Sequence, residues 1–218
     1  MLTDGSGSAG KSRITSTRTV LANTGASEGA VFAAFTDHEL YDVFLRHDSR
    51  ALAAVTLRLS EEWVEMDAVV TDAWENYNPS HDVCRVVAEL AVERASKLAS
   101  RTIPLFEYPV VHPFAITSVE GEVVIRLDED AVGRKLASAH AYSELRGDVE
   151  EMLHASRGED LRLEILRPAQ APVTSEKPFY ETRGEQQVAA RRYDVVLRYG
   201  QHLAHFLDSL SQSVHGAA

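Results

Sequence analysis

Two short apolar runs that each stop at an acidic residue, with a helical stretch after each, constrain this chain most. Residues 30–35 (AVFAAF) lead into Thr36-Asp37-His38, and residues 68–70 (AVV) lead into Thr71-Asp72. A short apolar run bounded by turn formers reads as a buried strand. A helix is expected over 38–45 and an amphipathic one over 48–62, with Asp48 or Ser49 as its cap. After a loop over 76–82, the strongest helix follows over 83–97. Strand and helix in alternation predict an α/β domain with a mainly parallel, Rossmann-like sheet flanked by helices. Such sheets bind ligands outside the carboxyl ends of their strands, where Asp37, His38, Asp72, His81 and Asp82 fall.

The rest of the chain is expected to hold a helix over 12–24 closed by Gly25, strands over 103–111 and 122–127 joined as a hairpin, and helices over 128–145 and 147–155. An irregular proline-bearing segment over 168–178 and a closing helix over 185–210 complete it. The reading is one α/β domain over 1–218, with 168–218 as an irregular segment plus C-terminal helical extension.

Charge and composition remove several function classes. With 22 Lys+Arg against 33 Asp+Glu, the net charge is −11, a poor surface for phosphate backbones or anionic lipid. The expectation is therefore no nucleic-acid partner and no membrane. One cysteine, Cys84, supports neither an internal disulfide nor a cysteine-based zinc cluster. No apolar run approaches the roughly 20 residues that span a bilayer, and the opening MLTDGSGSAGKS is polar, so a cytoplasmic location is expected.

Gly5-Ser6-Gly7-Ser8-Ala9-Gly10-Lys11-Ser12 matches the phosphate-loop pattern G-x-x-x-x-G-K-[ST]. In that reading, backbone N–H groups cradle phosphates, Lys11 reaches their oxygens, Ser12 holds magnesium, and Asp72 completes the metal site. Only four residues precede Gly5, where a buried strand normally feeds such a loop. The competing reading is a glycine-rich loop ahead of a helix.

Several segments together resemble the PIG-L/LmbE family of zinc-dependent N-acetylsugar deacetylases. Leu2-Thr3-Asp4-Gly5 resembles the family's LTDG at a strand end. Arg13 through Leu21 to Gly25 resembles its R-x-x-E…LG helix, with Ser16 at the acidic position. Asp37 with Leu40 and Tyr41 resembles its D-x-x-L stretch, and 69–72 followed by Asn78-Pro79-Ser80-His81 its strand and H-P-D-H loop. Pro178-Phe179-Tyr180-Glu181 with Tyr193 and Arg198 is similar to the C-terminal part of some members.

The resemblance implies a Rossmann-like fold and a metal-dependent hydrolase that removes N-acetyl groups from a sugar-containing substrate. It implies zinc as cofactor, His81 as metal ligand, Asn78 as the catalytic donor beside the metal, and Arg13 and Asp37 as substrate-binding residues. The family's first strand and its A-H-P-D-D-E run are absent, so His81 alone remains of the usual ligands. That departure leaves open a chain that is N-terminally incomplete relative to the family, one that is inactive as these 218 residues, or a non-catalytic sugar-binding remnant.

Other residues carry two readings each. Asp82 is a helix cap or a hydrogen-bond partner of the site. His112 stands at a strand end. His202 and His205 share a helix face as ligands or as a solvated end. Cys84 reads as a small buried hydrophobe, and Trp63 and Trp74 as packing anchors beside the second strand.

Overall fold

In a computed structural model of the chain, residues 1–7, 10–111, 118–155 and 160–217 are described. The helices are α1 (Ile14–Thr24), α2 (Asp37–Leu45), α3 (Arg50–Glu62), α4 (Pro79–Ala99), α5 (Glu129–Ala141), α6 (Arg146–Ala155), α7 (Phe179–Ala189) and α8 (Ala204–His215). The strands are β1 (Val69–Asp72), β2 (Leu105–Tyr108), β3 (Val123–Arg126) and β4 (Leu163–Pro168). They pair in the order β1-β2-β4-β3, a mixed α/β sheet flanked by helices. Only β1 and β2 are parallel; β4 runs antiparallel to both β2 and β3, where a mainly parallel sheet was expected. The chain divides into two compact units, residues 1–37 with 120–166 and residues 38–119 with 167–218.

The second unit holds most of the buried apolar side chains. Leu40 and Phe44 of α2, Leu52 of α3, Val83, Val87, Ala91 and Ala95 of α4, and Phe206 and Leu210 of α8 are all buried. Phe44 and Phe206 meet edge to face, with ring centroids 5.1 Å apart, a geometry that suits the aromatic quadrupoles. Trp63 packs against Val69, Val92, Ala95 and Ile103, the anchoring role expected of it.

The helix α4 follows from its ends. Asn78 caps it by accepting the Ser80 N–H at 2.9 Å, and Pro79 occupies the first turn where its missing N–H costs nothing. Left-handed Ser100 closes it, with the Ser100 and Arg101 N–H groups donating to Lys97 and Ser96 carbonyls. The helix thus starts four residues earlier than the sequence suggests, which brings His81 and Asp82 inside its first turn.

Buried Arg85 ties α4 to its neighbours. Its Nε donates to Glu107 of β2 at 3.1 Å, one terminal nitrogen to Glu89 at 3.1 Å, and the other to the Gln170 carbonyl at 3.0 Å.

In the first unit, α1 runs to left-handed Gly25 as expected. Ser16 and Thr17 of α1 bond Glu144 and Tyr142, which follow α5. The 30–35 run is no strand. Ala33 sits at φ +51°, which interrupts extended backbone, and only an isolated parallel bridge joins Thr3 to Phe35.

The expected hairpin between 103–111 and 122–127 is also replaced. β2 and β3 do not pair with each other, because each pairs with β4. The strand β4 was not foreseen. Glu164 and Arg167 break its apolar pattern, so 163–168 carries too little alternation to be read.

The expected single closing helix is two helices. Arg191 at φ +56° ends α7, and a π-helical turn at Tyr199–Leu203 begins the next. At Gly184 a Cβ would stand 3.1 Å from the Val196 side chain, a close approach of the intervening loop to α7 that glycine leaves unhindered. No helix among the described residues is long and apolar enough to cross a membrane.

Candidate functional site

Parallel pairing of β1 with β2 sets Asp72 opposite Tyr108 at the carboxyl ends of both strands. The Tyr108 hydroxyl donates to Asp72 Oδ1 at 2.6 Å, and His81 Nδ1 lies 2.6 Å from Asp72 Oδ2. His81 reaches that position because Asn78 starts α4 directly after the loop. Burial works to raise the Asp72 pKa, but the bonds from His81 and Tyr108 and the imidazole charge outweigh it and hold the carboxyl below its usual range. An ionised Asp72 only accepts, so Nδ1 carries the hydrogen, and in the neutral ring Nε2 keeps its lone pair. The same bond raises the His81 pKa, against the opposing effect of burial.

Asp82, on the next position of the same turn, is 1% exposed. It is not the cap of α4. Its Oδ1 accepts the Glu75 and Asn76 N–H groups at 3.0 and 3.3 Å, while the buried Oδ2 has no hydrogen-bond partner. Burial is the chief cause that pushes its pKa up to about 6. The Tyr180 hydroxyl is a second buried polar atom without a partner, and burial together with the Asp82 charge pushes its pKa up as well.

The loop between β1 and α4 is held by residues that sequence reasoning passed over. Glu75 accepts the Val110 and Val111 N–H groups at 2.9 and 3.0 Å. Asn76, at φ +57°, donates from its amide to the Val173 carbonyl at 2.8 Å. It accepts from Ser175 N and Trp74 Nε1, and its own carbonyl accepts the Phe179 N–H at 2.8 Å. The signal was present, since asparagine in a turn-rich loop is a residue that tolerates the left-handed region. Aromatic pairs bracket the loop: Tyr77 stacks on Phe179 with centroids 4.5 Å apart, and Trp74 meets Tyr199 edge-on.

Asn78 and His81 therefore share one helix turn. The oxygen of Asn78 is engaged in capping α4, which fixes where its amide stands. Arg13 and Asp37 lie in the first unit, where they meet a single loop. Asp37 Oδ2 accepts the Gly7 N–H and Asp4 Oδ1 accepts the Ser6 N–H. Gly5 and Gly7 have φ of +67° and +54°, and a Cβ at Gly5 would stand 3.3 Å from the Arg13 side chain lying across it. Both features favour glycine.

In this loop, the phosphate-loop pattern has two of its backbone N–H groups taken by carboxylates. Ser8, Ala9 and His112 lie outside the described residues.

Two further histidines were considered as ligands. The rings of His202 and His205 stand 6.0 and 5.8 Å from that of His47. His202 Nδ1 accepts the Arg198 N–H at 3.0 Å. Its neutral ring therefore carries its hydrogen on Nε2 and offers no lone pair there for a metal.

For zinc, the chemistry of the donors fits at one position. Nε2 of His81, backed by a carboxylate on Nδ1, is the arrangement that orients a ligating imidazole and raises its basicity. Among the described residues, no three His, Cys, Asp or Glu side chains gather as a metal-holding group.

No protein-family model matches the chain, and neither the curated proteins nor the solved structures give a match.

Proposed function

We propose that the chain is a Rossmann-like domain of the PIG-L/LmbE type, acting in the cytoplasm as a metal-dependent hydrolase that removes N-acetyl groups from a sugar-containing small molecule. One observation carries the reading: the Asp72–His81 pair at 2.6 Å, set at the carboxyl ends of parallel strands with His81 Nε2 left as a donor. The β1–α4–β2 crossover is the unit in which such sheets build their ligand crevice.

His81 is the residue that would hold zinc, and Asp72 keeps its ring in the required tautomer. Bound zinc supplies a polarised amide carbonyl and a water whose pKa falls towards about 7. Tyr108 holds the second oxygen of Asp72, so the carboxylate cannot swing away from His81.

The test uses the purified full chain with zinc and a panel of N-acetylated sugars, reading the amine set free. Amine release that is lost in His81→Ala, together with zinc binding weakened in Asp72→Asn, is the expected outcome. No amine from any sugar of the panel would remove the deacetylase reading, and unchanged zinc binding in His81→Ala would remove the metal site.

A further inference from the structure

Leu90, Glu93, Arg94 and Lys97 recur at helical spacing and form one stripe along α4. Where this stripe meets Val214 and His215 of α8, the two helices leave a cleft of about 80 Å³. A single water takes up only about 10–15 Å³ of such space, so the cleft has room for several heavy atoms. Leu90 and Val214 are buried and give it an apolar side.

The charges around the cleft are unequally matched. Lys97 donates to Glu93 Oε1 at 2.6 Å, and His215 Nε2 lies 3.5 Å from Glu93 Oε2. The Lys97 bond holds the Glu93 carboxyl below its usual range, so Glu93 stays ionised and answers the Lys97 charge. Arg94, half-buried on the same stripe, has no such counterpart. Among the described residues the ion pairs of α4 involve Arg85 and Lys97 and not Arg94, and the buried Arg94 Nε has no hydrogen-bond partner. A guanidinium carries five donors and no acceptor, and folded proteins normally satisfy such a group when it is buried.

The balance of charge selects the ligand. The carbonyl end of α8 brings roughly half a negative charge to the cleft, which counts against an anion. The whole charge of Arg94 outweighs it and leaves a positive remainder of about half a charge. That remainder suits one negative charge better than two. The planar fork of an arginine matches the two oxygens of a carboxylate, and Leu90 and Val214 suit a short aliphatic tail.

We propose that the cleft between α4 and α8 binds a small monocarboxylate with a short aliphatic tail, its carboxylate held by Arg94 and its tail beside Leu90 and Val214. Arg94 lies about 20 Å along α4 from His81, so the site stands apart from the Asp72–His81 pair and does not depend on the hydrolase reading.

Nuclear magnetic resonance of the nitrogen-labelled full chain tests this by titration with sodium propionate at neutral pH and constant ionic strength. The Arg94 Nε–H signal, assigned by its loss in Arg94→Gln, reports on the site directly, and the α4 and α8 amides report in the variants. Acetate, propionamide and inorganic phosphate are the comparisons, and circular dichroism confirms that each variant is folded. The expected result is saturable binding of propionate with a Kd of about 0.1–10 mM. Acetate should bind about threefold more weakly for want of one methylene, and propionamide not measurably.

Arg94→Gln should weaken propionate roughly tenfold or more, because a charge-assisted pair is lost, and Arg94→Lys should fall between. Glu93→Gln removes the competing carboxylate and frees Lys97, so it should tighten propionate about threefold or more. Absence of saturable propionate binding overturns the proposal. So does binding that is unchanged in Arg94→Gln or weakened in Glu93→Gln. Propionamide binding as tightly as propionate, or phosphate binding more tightly, would overturn the assigned ligand class.

Discussion

Replacing Arg85 with methionine keeps much of the side chain's apolar length and removes the guanidinium that donates to Glu107 at 3.1 Å. The guanidinium is 1% exposed and its partner Glu107 11%. Glu89, at 45% exposed, is solvated well enough to lose little. The loss is therefore set by Glu107, which keeps a charge in a buried place, and by the Gln170 carbonyl, which loses its donor. Removing one partner of a buried pair costs about 3–5 kcal/mol, and the unpaired carbonyl lies within that range.

Urea unfolding at neutral pH reads the change in the midpoint and in the extrapolated stability. Adding Glu107→Leu to Arg85→Met should recover most of the loss, because an apolar pair of similar volume replaces a buried ion pair at little cost. An Arg85→Met variant within about 1 kcal/mol of the starting protein would refute the reasoning, since that is the value of an exposed pair. A double variant as unstable as the single one would refute it equally.

Two further outcomes follow from the geometry. Burial, aided by the nearby His47 charge, lowers the His202 pKa from 6.5, so the fold favours the neutral ring. The stability this contributes is present above pH about 6.5 and is lost as pH falls through the lowered folded value; His202→Asn should flatten that part of a stability profile taken from about pH 7.5 to 5, and an unchanged slope would count against it. Asn76→Ala places a β-carbon at φ +57° and removes the side-chain bonds to Val173, Ser175 and Trp74. A loss of about 2–4 kcal/mol is expected in thermal or urea unfolding, with Asn76→Gly recovering only the backbone part; equal stability of the two variants would show that the strain is not there.

How much of this was legible depended on whether a local pattern carried the information. The helices α1, α3 and α4 follow from periodicity and caps, and β1 from a β-branched run ending in Asp72. The strand β4 was hidden because its neighbours β2 and β3 come from distant parts of the chain, and sheet order is a non-local property. The 30–35 run has strand composition without a partner long enough to make it a strand. At the site, His81 and Asp72 stood out by residue type and position. Tyr108 did not, since its role arises only when parallel pairing brings residue 108 opposite residue 72. Asn78 was read for chemistry, and its oxygen serves first as the cap of α4.

Asn76 joins its own loop to one stretch far along the chain, residues 173–175 and the start of α7 that follows them. Amide protons that share one such clasp do not open one at a time. The Glu75 amide on Asp82, the Ser175 amide on Asn76 and the Phe179 amide on the Asn76 carbonyl should exchange with solvent deuterium as a single cooperative unit. The segment after β4, irregular in outline, would then share one opening free energy with the loop that presents His81.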